Sequence, residues 1–543
     1  MVPHAVGSCT SRERLPKTKL PARILSAVIL AILNICAVAP AAERTETIRS
    51  LDLPDAEIVA AYQRAATQNV LAAVNPKVFY GYWSVCADGV GFGYGCTYPS
   101  LDGHQMTDTL LFLGQADVVK ANWDYVRKFQ RPNGQLPLAI LPNAASQRIG
   151  PPSAQSRVDG NGGLYRHWVP GDPLRALAGP TYIQNADVIY RYTQDRAWLV
   201  RQLPSVNLAA DFLAGLSNRD GAVGGAGYYV ERPLRAEFDG VAQCHAAEAF
   251  QRVAALNALA GNHESARRYQ QLADRIGAHF RNRFWQKDHF AEYIHPQHGA
   301  ITKHGLTDVD WAAIATGMAS AEQVAILWPQ LRDERRFYYG GMPTGIAVLP
   351  DSYESWEFPT PDRMDLAAMG RVWYLECWAR ARMGDGRGLV ESIRKVCQVG
   401  RQSGFYWRER YTEKGGHGAE KYCEYPANLI RIVQRFLLGV EFGLDGTLSI
   451  APVAPDDFWR SGFGQTLTWR GRTLSYRIER DRMTGDYCGD GTQRLCVKLR
   501  RPAHRTAKVT INGHPAETAV EGGRWTVLLP AAPVERPCHV EIQ

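Results

Sequence analysis

The chain has 543 residues, of which 45% are hydrophobic and 21% are charged, with a formal net charge of +8. This composition is typical of a globular protein and excludes a largely disordered chain, a collagen-like repeat and a coiled coil. The positive charge would be compatible with a nucleic-acid partner, but it is distributed unevenly.

Much of the positive charge lies near the N-terminus. Residues 12–23 hold five basic side chains and one acidic side chain, and an apolar run at 24–39 and the small residues Ala39-Pro40-Ala41 follow. This order is typical of a secretory signal peptide, and the run is shorter than the roughly 20 residues of a transmembrane helix. We therefore predict a signal peptide at 1–42 and an exported protein, periplasmic or secreted. An uncleaved membrane anchor is the alternative.

Removal of residues 1–42 leaves 57 basic and 53 acidic side chains, a net charge of about +4. The two signs are interspersed and no basic run reaches five residues, so no surface that follows a phosphate backbone is indicated. We expect no nucleic-acid partner and no membrane contact beyond the export signal. The oligomeric state stays open.

The cysteines allow two disulfides in an exported protein, Cys86–Cys96 in a glycine-rich loop and Cys488–Cys496 around a turn. Cys244, Cys377 and Cys397 lie in helical patterns, where buried free thiols are expected. His295, His298 and His304 have loose metal-like spacing but no neighbouring acid cluster, and no zinc-type cysteine pair occurs. We predict neither a metal nor a cofactor.

From about residue 55 to 440 the periodicity is helical, with apolar residues recurring at intervals of three and four. Short polar or glycine turns recur every 60 to 80 residues or so within this region. Each unit is a helical hairpin plus a long loop, and six such units predict a closed (α/α)6 barrel. The predicted helices are 56–74, 107–129, 182–201, 242–260, 265–284, 365–383 and 428–440, and the turns are 113–117, 192–195, 259–263, 316–320 and 382–386.

The long loops alternate with the tight turns, so they are expected to gather at one end of the barrel. They are rich in glycine, proline and aromatic residues, and loops of this length in a compact domain are usually functional. We therefore expect the chemistry at that end. The loops are 80–103, 131–179, 218–239, 285–309, 338–362 and 404–426.

After residue 441 the pattern changes to short alternating segments separated by turns such as Asn512-Gly513, which predicts an antiparallel β-sandwich. The predicted organisation is therefore a signal peptide at 1–42, a barrel at 43–440 and a β domain at 441–543. Predicted strands are 447–450, 466–469, 473–478, 496–499, 508–511 and 525–528.

Glu409 is the acid with the clearest chemical logic. It stands in the loop 404–426, and basic and aromatic residues surround it. Neighbouring cations favour the ionised carboxylate, which can act as general base on a water molecule, and aromatic rings can carry a sugar. The alternative is an ion-pair cluster that only fixes the loop. The surrounding residues, all candidate substrate contacts except Arg410, are Trp407, Arg408, Arg410 and Tyr411.

The segment Glu409-Arg410-Tyr411 resembles the E-[KR]-Y segment of trehalases and corresponding segments of processing α-glucosidases and α-L-rhamnosidases, the six-hairpin glycosidases. Residues 98–105 are similar to their W-D-[TE] segment, with Leu101 in place of tryptophan, and residues 238–241 and 448–452 also resemble segments of these enzymes. The resemblance implies an inverting glycoside hydrolase with Glu409 as general base and Asp102 binding the terminal sugar.

The general acid is predicted in the loop 222–239, which lacks the W-D pair of these families. Glu231 is the best match, and Glu237 and Asp239 are competitors; an ion pair with a nearby arginine is the alternative role for Glu231. In the loop 338–362, Trp356 and Glu357 are predicted substrate contacts.

The sequence thus favours an exported inverting exo-glycosidase acting on an oligo- or polysaccharide, with carboxyl groups roughly 6.5 to 9.5 Å apart. A glycoside phosphorylase, a polysaccharide lyase on the same barrel and a non-catalytic carbohydrate-binding barrel are the alternatives. Sugar, anomer and linkage stay open.

Overall fold

A computed structural model describes residues 50–76, 82–88, 101–137, 140–141, 156–158, 163–165, 176–225, 238–358, 366–500 and 508–543. For residues 101–102, 140–141, 156–158, 163–165 and 334, only the backbone is described. The predicted signal peptide lies outside these ranges, as do Cys96, Glu231 and Glu237.

The helices alternate between an inner and an outer layer along the chain. In the outer helix His263–Arg283 the buried residues recur at helical spacing on one face, whereas Gly240–Ala260 is buried on almost every side. The first and last helices of the barrel continue as π-helical segments, Ala65–Val70 and Val433–Leu437. The helices are α1 (Ala56–Arg64), α2 (Leu101–Phe112), α3 (Ala116–Arg127), α4 (Ala178–Thr193), α5 (Arg196–Gly215), α6 (Gly240–Ala260), α7 (His263–Arg283), α8 (Asp308–Ala315), α9 (Ala321–Leu331), α10 (Gly370–Arg382), α11 (Gly386–Gln402) and α12 (Glu424–Ile432).

The even-numbered helices form a closed inner ring. Each packs against the next, from α2 through α4, α6, α8 and α10 to α12, and α12 packs against α2. The odd-numbered helices lie outside, and α1 contacts both α11 and α12. Six inner and six outer helices among the described residues confirm the predicted (α/α)6 barrel.

Five tight turns join inner helices to outer helices at the predicted positions. Each contains a residue with positive φ, which reverses the chain directly after the inner helix. For this reason the predicted helices 107–129 and 182–201 are each two helices. The long connections precede the inner helices, so they lie at the N-terminal ends of those helices, here called the loop face. The reversing residues are Gly114, Gln194, Gly261, Gly317 and Gly384.

Short strands in the long connections add to the loop face. They form small antiparallel sheets, ordered β1-β3-β2, β4-β5, β6-β7 and β10-β9-β8. Their bounds are β1 (Ile140–Leu141), β2 (Ser156–Val158), β3 (Gly163–Tyr165), β4 (Trp285–Gln286), β5 (His289–Phe290), β6 (Tyr293–His295), β7 (Gly299–Ile301), β8 (Ala368–Met369), β9 (Arg410–Thr412) and β10 (Gly415–His417).

The C-terminal region contains two sheets and one short helix, α13 (Asp456–Ser461). The sheets are ordered β11-β12-β16-β20-β19 and β13-β14-β15-β21-β17-β18, and their strand pairs are antiparallel except β12–β16, which is parallel. The strands are β11 (Val440–Phe442), β12 (Leu448–Ile450), β13 (Phe463–Trp469), β14 (Arg472–Glu479), β15 (Arg482–Cys488), β16 (Gln493–Val497), β17 (Val509–Ile511), β18 (His514–Pro515), β19 (Thr518–Glu521), β20 (Arg524–Leu529) and β21 (Cys538–Ile542).

The cysteine pair 488–496 is not a disulfide; both thiols are free. Cys488 ends β15 in the six-stranded sheet and Cys496 lies in β16 of the five-stranded sheet, because the turn between them carries the chain from one sheet to the other. Cys244, Cys377 and Cys397 are buried free thiols, as predicted.

The C-terminal sheets pack against the barrel where its first helix, α1, meets its last helix, α12; this contact is here called the seam. The side chains of Gln434 and Gln465 exchange hydrogen bonds of 2.8 and 2.9 Å, and Asp52, just before α1, pairs with Gly464 of β13. None of the helices in the described part of the chain is both long and apolar enough to cross a membrane.

Candidate active site

The small sheet β10-β9-β8 places Glu409 at the loop face. Arg410 and Tyr411 of β9 pair with Met369 and Ala368 of β8, and α10 begins at the next residue after β8. Because Glu409 directly precedes β9, its backbone position is fixed relative to the N-terminus of an inner helix.

The Glu409 carboxylate is 5% exposed and held at both oxygens. Oε1 lies 2.9 Å from Nη2 of Arg410, and Oε2 accepts a 3.1 Å hydrogen bond from the Ala419 N–H. A Cβ at Gly418, whose φ is +77°, would lie 2.6 Å from Oε2, so only glycine fits beside the carboxylate. The adjacent guanidinium favours an ionised carboxylate, which is the state that a general base requires.

The neighbours of Glu409 differ in how they face solvent. Arg408 bonds Glu420 at the surface and donates its backbone N–H to the Tyr411 hydroxyl at 2.9 Å. Tyr411 is buried, packs edge-on to Tyr425, and has a pKa raised to about 12 by burial. These contacts fix the loop around Glu409.

Trp407 lies in the core and does not present a platform to a sugar. It is 0% exposed and donates its indole N–H to the Val396 carbonyl at 3.1 Å. Its ring fills the space beside Gly400 on α11, where a Cβ would lie 2.2 Å from the indole. In this structure the Trp407 ring, a predicted substrate contact, is therefore not accessible from the loop face.

A second buried acid lies close to this sheet. Glu424, the first residue of α12, accepts hydrogen bonds from Nε and Nη2 of Arg371 at 3.0 and 2.8 Å and from the Arg371 backbone N–H. The bidentate pair joins the N-termini of α10 and α12 beneath β8. Both oxygens of Glu424 are engaged by Arg371, and this pair fixes the start of the two inner helices next to the sheet that carries Glu409.

Glu357 belongs to a different buried cluster at the loop face. Its Oε1 accepts hydrogen bonds from Tyr293 Oη at 2.6 Å and from Nε2 of His304 at 2.9 Å. Its Oε2 accepts the backbone N–H of Glu354 at 2.7 Å and lies 3.4 Å from Nζ of Lys303. With 1% exposure, Glu357 anchors its loop from within and does not face solvent.

Sequence reasoning missed Glu292, the other acid of this cluster. Both of its oxygens accept hydrogen bonds from the Tyr353 hydroxyl, at 2.8 and 2.9 Å, and one lies 3.6 Å from Nε2 of His304. The His304 ring stacks on Tyr353 at 3.5 Å and lies between Glu292 and Glu357. A signal was available in the alternating pattern of residues 290–301, which is typical of β-hairpins. Glu292 directly precedes β6 in this segment.

Trp356 is the exposed member of the same segment, with 38% of its surface accessible. Its indole N–H donates to Glu354 Oε2 at 2.6 Å, and its ring stacks on His298 at 4.1 Å. The structure thus separates the predicted substrate contacts into a Glu409 centre and a Trp356–Glu357 segment.

Among the acids predicted in the loop 222–239, Asp239 is described. It caps α6 by accepting the backbone N–H groups of Val241 and Ala242 at 2.8 and 3.3 Å. Glu231 and Glu237 lie outside the described residues, as does the side chain of Asp102, whose backbone stands in the first turn of α2.

Buried ion pairs connect the inner helices around the barrel axis. Asp108 of α2 lies 3.2 Å from Nε of Arg431 and 2.8 Å from Nη1 of Arg435, which joins the first inner helix to the last. Two histidines line a small polar cavity on the axis, and burial lowers the pKa of His104 to about 4 and that of His245 to about 3. Both imidazoles are therefore neutral at pH 7 and can hydrogen bond to neutral groups.

Within the described ranges, no group of three or more histidine, cysteine, aspartate or glutamate side chains is arranged to hold a metal ion. The three histidines with metal-like spacing have other contacts: His295 and His298 pack against Trp356, and His304 bonds Glu357.

Residues 157–347 match the family model described as the bacterial alpha-L-rhamnosidase six-hairpin glycosidase domain. No curated protein matches the chain. The match extends from before α4 to beyond α9 and includes Asp239 and the Glu292–His304 part of the loop face.

Solved structures share the fold. The GH78 family rhamnosidase of Bacillus sp. GL1 is 15% identical with a TM-score of 0.55, over 79% of this chain and 40% of that one. The α-L-rhamnosidase of Dictyoglumus thermophilum is 10% identical with a TM-score of 0.58, over 91% and 50%. That of Streptomyces avermitilis, complexed with L-rhamnose, is 12% identical with a TM-score of 0.53, over 91% and 42%.

This chain therefore spans no more than half the length of these three enzymes. The family match and the shared fold confirm the resemblance to six-hairpin glycosidases and the architecture of a helical barrel followed by C-terminal sheets.

Proposed function

We propose that this protein is an exported, inverting exo-glycoside hydrolase with Glu409 as its general base. The observation that carries the proposal is Glu409 itself, a nearly buried loop-face carboxylate paired with Arg410 in a barrel of which residues 157–347 match a glycosidase family model. Since that model and the three solved relatives are named as α-L-rhamnosidases, α-L-rhamnosides are the first substrates to test.

In the proposed reaction Glu409 takes a proton from a water molecule, whose oxygen bonds to the anomeric carbon as the glycosidic bond breaks. A protonated acid on the other side gives its proton to the departing oxygen. Glu231 is the acid proposed from sequence, with Glu237 and Asp239 as competitors. Asp239 has one oxygen engaged in capping α6, and this favours the two glutamates.

The test replaces Glu409 with glutamine. E409Q keeps an acceptor for the Ala419 N–H but cannot take a proton, so kcat is expected to fall by roughly 10²- to 10⁴-fold while sugar binding is retained. E420Q is the matched control, because Glu420 lies in the same loop, is 67% exposed and bonds Arg408.

Two further readouts bear on the mechanism. Azide added to E409A is expected to restore turnover and give a glycosyl azide of inverted configuration. Product analysis by NMR would contradict inversion if the released sugar keeps its anomeric configuration. Unchanged turnover in E409Q would remove Glu409 from the reaction, and phosphate-dependent turnover would indicate a phosphorylase.

A further inference from the structure

Trp356, His295 and His298 form an aromatic surface at the loop face, here called the Trp356 shelf. The Trp356 ring stacks on His298 with centroids 4.1 Å apart and planes at 18°, and His295 meets it edge-on at 5.2 Å. Trp356 is the one aromatic among the large hydrophobic side chains exposed in the described part of the chain. Other rings in the described residues, such as Trp285 and Trp328, are partly buried, whereas Trp356 is exposed and lies directly beside two imidazoles.

The shelf is rigid. The Trp356 N–H is tied to Glu354, and Nδ1 of His295 accepts the backbone N–H groups of Gln297 and His298 at 3.1 and 3.2 Å. Below the shelf, the buried Glu357 anchors the same turn to Tyr293 and His304. A ring held in one orientation loses little conformational entropy when a ligand stacks on it.

Polar groups border the apolar ring. Lys303 places Nζ 5.4 Å from the Trp356 centroid and bonds Glu354; the Lys303 and Glu354 side chains are 34% and 57% exposed. A sugar ring has the complementary pattern, an apolar C–H face surrounded by hydroxyl groups that donate and accept hydrogen bonds. The shelf therefore fits a sugar ring better than a wholly apolar partner.

We propose that the Trp356 shelf binds a sugar residue of an oligo- or polysaccharide beyond the terminal unit that is released. This inference rests on the proposed glycosidase function. Trp356 lies in the connection that precedes α10, and His295 and His298 lie in the connection that precedes α8. Both connections belong to the same loop face as Glu409, but the shelf shares none of the Glu409 contacts described above. Trp356 is thus a specificity-determining residue for chain length.

The test compares two substrates with the same terminal sugar. p-Nitrophenyl α-L-rhamnopyranoside has no second sugar, whereas a rhamnose-terminated trisaccharide has two further sugar rings that can stack on the shelf. W356A is expected to raise KM for the trisaccharide on the order of tenfold, leaving kcat and both constants for the aryl glycoside within about twofold, because one stacking contact is lost. W356F keeps a ring and should retain most of the affinity.

L528A is the control, because Leu528 is 57% exposed on β20 of the C-terminal sheets. If W356A raised KM equally for both substrates, the shelf would not be a separate subsite. An unchanged KM for the trisaccharide would also overturn the proposal. An immobilised oligosaccharide array, read with wild type, W356A and W356F, gives a readout without turnover. If wild type hydrolyses no glycoside, the proposed function fails, whereas the shelf fails only if the array signal is absent or insensitive to W356A.

Discussion

Replacing Glu357 with glutamine tests whether the buried loop-face cluster stabilises the fold through charge. Burial opposes ionisation of Glu357, but hydrogen bonds from His304, the Glu354 backbone and Tyr293 outweigh burial and lower its pKa from 4.5 to about 2. The carboxylate is 1% exposed, so solvent screens these bonds little. The folded protein therefore holds Glu357 ionised more firmly than the unfolded chain does.

The difference between the two pKa values corresponds to roughly 3 kcal/mol of unfolding free energy. Since the folded pKa is the lower one, this stabilisation is complete above about pH 4.5 and is lost as the pH falls towards about 2. E357Q is thus expected to unfold at a lower urea concentration than wild type at pH 7, with the gap narrowing steadily between pH 4.5 and 3.

Urea unfolding followed by circular dichroism at pH 7, 5, 4 and 3 measures the gap. E354Q is the matched control, because Glu354 lies in the same turn but its side chain is 57% exposed, and its midpoint should follow wild type at each pH. A gap for E357Q that is the same at pH 3 and pH 7 would show that packing, and not ionisation, is responsible, and would refute the reasoning.

Three further predictions concern single residues. D108N leaves Arg431 and Arg435 buried without their carboxylate, so the unfolding free energy should fall by about 3–5 kcal/mol in urea titrations; a fall below 1 would contradict this. G400A places a Cβ 2.2 Å from Trp407 and should lower the unfolding free energy by about 1–3 kcal/mol. G215A changes another helical glycine, which has free space around it, and should raise the unfolding free energy by about 0.5–1 kcal/mol. D239N keeps the α6 cap, so its turnover should stay within tenfold of wild type; a loss above a hundredfold would make Asp239 the acid.

The helical pairs were predictable because their signals are local. Apolar spacing of three and four marks the helices, and residues such as Gly261 and Gly384 take the positive φ that ends an inner helix. Closure of the ring could be inferred from the number and period of the hairpins, but the particular contact between α1 and α12, which are more than 350 residues apart, has no local signal.

The site was predictable only in part. The pairing of Glu409 with Arg410 could be predicted because the two residues are adjacent in sequence, whereas Glu292, His304 and Glu357 come from separate parts of the sequence and no local pattern connects them. The burial of Trp407 could not be predicted, because local composition does not reveal that Gly400, seven residues earlier on α11, leaves space for its ring. Tertiary packing decides which aromatic side chain is accessible.

The contact between α1 and α12 at the seam also determines when the barrel can close during synthesis of the chain. Helix α1 is synthesised long before its partner α12 and before the strand β13, which contains the partner of Asp52. Contacts between segments so far apart in sequence form late, because a long loop has to close before the contact stabilises the fold. The ring therefore closes only after α12 has been made, and a chain truncated after α11 lacks the helix that joins α10 to α2.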